Sequence, residues 1–178
     1  MNSRTRQSGY NLVEVLVAMA LLGTVMISII TLFFMGQSNI YSGKQMTQAV
    51  AVGTTVQEDL TSMTKDDYVT FFGLGTASLG SVTVAGETYT GSVKITTNPQ
   101  TATPAQGTAY LDKWKALLTN TNFANGKLTM IATPVRPAGS PTMANAPILR
   151  VRTVIEWNET RRARNIAFDT VKTDRTKS

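Results

Sequence analysis

The chain has no cysteine and no histidine. Without cysteine no disulfide can staple the fold, whatever the compartment. Without histidine it lacks the commonest metal ligand and the side chain most often used as a general base near neutral pH. Histidine-dependent triads and cysteine- or histidine-ligated zinc sites are excluded. The carboxylates are scattered rather than paired, so no catalytic centre is expected, and no cofactor or metal. The most informative absence is one of charge: no Asp, Glu, Lys or Arg occurs between Glu14 and Lys44.

Inside that gap lies the apolar run Val15–Met35, 21 residues long. As a helix it spans roughly 32 Å, enough for the hydrocarbon core of a bilayer. A secretory signal peptide has a shorter apolar region, followed by its cleavage site. An ordinary single-pass anchor fits the length but leaves Glu14 unexplained, since an ionised group carried to mid-bilayer costs on the order of 2.5–3.5 kcal/mol. The leader in front carries Arg4 and Arg6 and no acid. By the positive-inside bias it stays in the cytoplasm and the bulk of the chain faces outward. With a formal charge of +6, the chain is basic enough to permit acidic partners without requiring them.

The stretch Gly9-Tyr10-Asn11-Leu12-Val13-Glu14 and the run behind it resemble the N-terminus of a type IV prepilin. In that family a short basic leader ends in glycine and a hydrophobic helix follows, with a glutamate at the fifth mature residue. Here the resemblance implies cleavage between Gly9 and Tyr10 by a prepilin peptidase, N-methylation of the new Tyr10 amine, and Glu14 as the fifth mature residue. Tyr10 departs from the usual phenylalanine. Thr31 stands where major pilins often carry a kinking proline. Resemblance also implies the role of Glu14. It lies about 6 Å along the axis from the Tyr10 amine, so a neighbouring subunit displaced by one turn would bring its own amine level with this carboxylate. Pairing cancels two charges that are costly apart in a low dielectric.

The helix is expected to run on from Tyr10 to Met63. Met46, Ala49, Val52, Val56, Leu60 and Met63 recur at helical spacing and form a stripe that packs on a soluble head, leaving Lys44, Gln48, Thr55 and Asp59 more solvated. Residues 64–80 read as a loop, with Phe71 and Phe72 as anchors and Asp66-Asp67 solvated. Ser81–Ala85 and Thr88–Thr96 alternate about Gly86 as a hairpin. Ala109–Leu118 is a helix with Tyr110, Leu111, Trp114, Leu117 and Leu118 on one face. Lys127–Thr133 is a strand. Pro134–Pro147, with four of the six prolines, is a loop. Leu149–Trp157 and Arg161–Val171 form a closing hairpin about Asn158-Glu159-Thr160, and Lys172–Ser178 is a frayed tail.

The order of Tyr110–Leu118, Asn125-Gly126-Lys127 and a closing hairpin with Trp157 and Arg162 is similar to the type IV pilus modification (PilV-type) minor pilins. The resulting expectation is an α+β type IV pilin fold: leader 1–9, long helix 10–63 with transmembrane part 15–35, and antiparallel head 64–178. The function it implies is that of a minor pilin, held in the inner membrane with its head outside the cytoplasm and then built into an extracellular filament. Its partners would be other pilin subunits and the prepilin peptidase/methylase. Two alternatives stay open. One is a pseudopilin of a type II secretion system. The other is a DNA-binding competence pilin, in which Arg150, Arg152, Arg161, Arg162 and Arg164 form a basic surface for nucleic acid.

Overall fold

A computed structural model describes residues 12–120, 123, 125–135, 142–159 and 162–173. The first element is a single 51-residue helix, α1 (Leu12–Ser62). The first proline in the chain is Pro99, so nothing interrupts the backbone ladder of α1 by removing a donor. Thr24, Ser28 and Thr31 turn their hydroxyls back onto the carbonyls of Leu21, Thr24 and Ile27 at 2.8–2.9 Å. Polar side chains in an apolar segment thus satisfy themselves locally. The chain divides between Lys44 and Gln45 into two compact units, each described separately below.

The second unit begins within α1. Ala49, Val52, Gly53, Val56 and Leu60 are its buried positions, spaced as one helical face requires. Met46, expected on the same stripe, is 45% exposed; the buried face starts one turn later, at Ala49. After α1 comes α2 (Lys65–Phe71), where a loop was expected. Thr64 and Asp67 form a reciprocal capping box: Asp67 N–H donates to Thr64 Oγ1, and Thr64 N–H donates to Asp67 Oδ2, both at 3.1 Å. Two otherwise orphaned donors are satisfied, which sets the start of so short a helix. A 3-10 turn follows at Leu74–Thr76.

Five strands make one antiparallel sheet in sequence order: β1 (Gly80–Val84), β2 (Glu87–Thr96), β3 (Lys127–Val135), β4 (Ile148–Glu159) and β5 (Arg162–Thr173). The β1–β2 turn is Ala85-Gly86, both residues at positive φ, as a two-residue hairpin needs. A bulge falls at Gly91, also at positive φ, where β2 passes from pairing with β1 to pairing with β3; glycine adopts that geometry without a Cβ penalty. Helix α3 (Ala105–Asn120) starts four residues before the expected Ala109. Strand β3 runs on past the expected Thr133 to Val135 and takes in Pro134, the first proline of the expected loop. In the rest of that loop Met143 and Ala146 are buried, while residues 136–141 lie outside the described set.

The core lies between the helices and one sheet face. Ala49, Val56 and Leu60 of α1 and Leu111 and Trp114 of α3 meet Ile95, Met130, Val151, Ile155 and Trp157. Burying a side chain the size of Leu60 stabilises the fold by roughly 1.5–3 kcal/mol. A smaller cluster on the opposite face, Val84, Ile131 and Val154, is covered by Val82 and Tyr89 of the β1–β2 hairpin. The chain therefore has a pilin-like α+β fold, a long N-terminal apolar helix packed through its second half on a five-stranded antiparallel sheet.

Candidate functional site

The described residues of the first unit are the N-terminal part of α1. Here the usual distribution of side chains is inverted. Every residue from Leu12 to Tyr41 is exposed, and most are large and apolar; Leu32 is 69% and Phe33 64% exposed. A contiguous apolar surface of this extent cannot face water at low cost. By length and composition α1 is able to cross a membrane. Glu14 lies in the first turn of α1 as described, exposed and apart from any other charge in its sequence neighbourhood. A carboxylate there also suits the positive end of the helix dipole. Gly9 and Tyr10, the expected cleavage and methylation positions, lie outside the described residues.

The junction of α1 and α2 in the head is held by two buried lysines. Lys172 of β5, expected in a frayed tail, is 7% exposed. Its ammonium donates to the carbonyls of Leu60 and Met63, the latter at 2.6 Å. It supplies a cation where the last turn of α1 has none of its own; the carbonyls at the C-terminal end of a helix carry partial negative charge. Lys65, 4% exposed, donates to the carbonyls of Ala144 and Ala146 at 3.2 and 3.0 Å. Both are structural clamps, invisible in sequence because their acceptors lie some eighty to a hundred and ten residues away.

The arginines expected to form one basic surface are divided by the register of the terminal hairpin. Arg150 pairs across the ladder with Val171, and Arg152 with Asp169; both belong to the face that carries the β1–β2 hairpin. Arg162 stands opposite Glu159 and Arg164 opposite Trp157, on the other face. Arg150 makes a two-pronged contact with Asp169 at 3.3 and 3.2 Å, and this carboxylate raises the Arg150 pKa above its ordinary value. Arg152 lies 3.2 Å from Glu87 and 3.6 Å from Asp169, with its guanidinium over the Tyr89 ring. Arg164 pairs with Glu159 at 3.2 Å. Arg161 lies outside the described residues. What the geometry assembles is a neutralised network on one face and a separate, partly paired group on the other.

Among the described residues no group of three or more metal-ligating side chains comes together. The feature of α1 that could act on another molecule is its bare apolar surface, with one acidic residue near the start of the described helix. Comparison with known proteins returns no matching family model, no matching curated protein and no matching solved structure. The class is accordingly defined by the fold alone: an α+β, pilin-like chain whose N-terminal helix is fit to lie in a membrane.

Proposed function

We propose that this chain is a minor pilin of a type IV pilus, anchored by α1 in the inner membrane with its head outside the cytoplasm until it enters the filament. The observation that carries this reading is the division of labour within α1. Its first half has a fully apolar, uncovered surface, and its second half forms part of the head's core. A simple membrane anchor has no need of a helix continuous with the core of its head, whereas a filament subunit uses such a helix to fix its head to a packed bundle. Glu14 supports the same reading as the counter-charge for a neighbouring subunit's Tyr10 amine. The apolar residues around it supply packing without register, and one ion pair in a low dielectric supplies the register.

A pseudopilin of a type II secretion system would use the same parts and is the alternative within the class. The nucleic-acid reading has less to support it, since Arg150, Arg152 and Arg164 each already face a carboxylate. Mass spectrometry of the native membrane protein tests the assignment. The mature chain should begin at N-methylated Tyr10. An intact leader, or a cut beyond Met35, would sink the proposal.

A further inference from the structure

A membrane-spanning Val15–Met35 leaves unexplained the nine residues between that run and the second unit. Gly36 to Lys44 stays helical and stays exposed apart from half-buried Ser42. Its composition is mixed: Gln37, Ser38 and Asn39 are polar, and Ile40 and Tyr41 are large and more than 70% exposed. Lys44 is exposed and is the first charged residue after Glu14. Tyr41 and Lys44 are three residues apart and so lie on one face of the helix.

Distance along the axis gives this pair a place. Glu14 and Lys44 are thirty residues apart, roughly 45 Å in an α-helix. That matches the thickness of a bilayer with its headgroup layers, about 40–45 Å, rather than the hydrocarbon core of about 30 Å. Val15–Met35 is as long as the core is thick, and the roughly 13 Å of Gly36–Lys44 matches the two headgroup layers together; a helix centred in the bilayer carries Glu14 into one layer and Lys44 into the other. Tyrosine has an apolar ring and a polar tip, the form favoured at the membrane–water boundary. A lysine beside it keeps its stem against the apolar layer and its ammonium among anions.

We propose that Tyr41 and Lys44 are the outer headgroup anchor of α1. The Lys44 ammonium lies level with the lipid phosphates of the non-cytoplasmic leaflet, and the Tyr41 hydroxyl lies just inside it. Ile40–Gly43 then occupies the outer interfacial layer rather than open water, and Glu14 marks the opposite headgroup layer. The occupant of this exposed face is phospholipid, because the pair joins one positive charge to an amphipathic ring at the depth where phosphate and glycerol succeed each other. The inference rests on α1 spanning the bilayer and adds the depth at which it stops.

The absence of native cysteine allows a clean test with single spin labels on the full chain. Ser28→Cys and Ile40→Cys would be labelled separately and reconstituted in vesicles of phosphatidylethanolamine and phosphatidylglycerol. Accessibility to lipid-soluble and water-soluble relaxants then gives the depth of each label. The label at 28 should lie near mid-bilayer and the label at 40 at the headgroup level. Adding Tyr41→Ser with Lys44→Glu should move the label at 40 by about one helical turn, roughly 5 Å, while 28 stays within the hydrocarbon. A wild-type label at 40 fully open to water, with 28 still deep, would overturn the anchor and leave the spanning helix standing. An unmoved label at 40 in the double variant would also overturn it. A label at 28 open to water would overturn the spanning reading and the anchor together.

Discussion

Trp114 donates its indole N–H to Asp59 Oδ2 at 2.8 Å, and Lys113 places its ammonium 2.7 and 2.8 Å from the two oxygens of the same carboxylate. One side chain of α1 thereby holds two of α3. Trp114 is fully buried, stacks on Phe72 and packs at a tilt against Tyr110, so its N–H is shielded from water by its neighbours. Asp59→Ala should destabilise the head by roughly 1–3 kcal/mol, the cost of leaving a shielded donor unpaired. Asp59→Asn keeps an acceptor for the indole and should cost clearly less. Chemical unfolding followed by tryptophan fluorescence checks the order; equal losses for the two variants would refute the pairing.

Gly107 sits in the first turns of α3, where a Cβ would fall onto the carbonyl of Phe71 and within 3.1 Å of the Thr103 Cβ. The obstacle is backbone and cannot rotate away. Gly107→Ala should therefore destabilise by about 1–3 kcal/mol through overpacking, although alanine is the better helix former by about 1 kcal/mol. A variant that melts at or above the wild-type temperature would mean that α2 and α3 are not so closely apposed.

The capping box of α2 predicts a pH response. The Thr64 hydroxyl and then the Thr64 N–H hold the Asp67 carboxyl below its ordinary pKa. A carboxyl that titrates lower in the folded chain than in the unfolded one adds stability above the unfolded value. That contribution fades as pH falls through the folded value. The wild-type head should lose this increment in the acid range, below about pH 4, whereas Asp67→Asn should lack it at every pH. Thermal melts of the two chains across the acid range should converge as pH falls. Curves that stay parallel would contradict the capping role.

The second half of α1 and the α3 stripe were legible in sequence, because each repeats a helical period over nine residues or more. Helix α2 was hidden because its seven residues carry too little period to count. Its only signal was Thr64 three residues before Asp67, followed by apolar residues, the spacing of a capping box. The division of the arginines between two faces was hidden for another reason. Charge counts along a strand do not show which face each arginine takes or which acid stands opposite; only the register Arg152↔Asp169 and Glu159↔Arg162 does. Lys172 looked like the start of a loose basic tail. It belongs to a strand because its ammonium completes the far end of α1, a relation no local pattern records. Glu14 and the apolar run were readable at once, since charge and its absence need no fold to be seen.

In the proposed filament, α1 joins this chain to its neighbours and Glu14 pairs a neighbour's terminal amine. The most direct measurement is the ratio of this chain to the major subunit in sheared pili, for wild type and for processed Glu14→Ala. A filament subunit should be recovered as wild type. Glu14→Ala should remain in the membrane and be largely lost from the sheared fraction, since its absence leaves an amine unpaired in low dielectric at a cost of several kcal/mol. A simple anchor would insert at least as well without the carboxylate. Wild-type chain absent from sheared filaments, or processed Glu14→Ala recovered there at the wild-type ratio, would contradict the account.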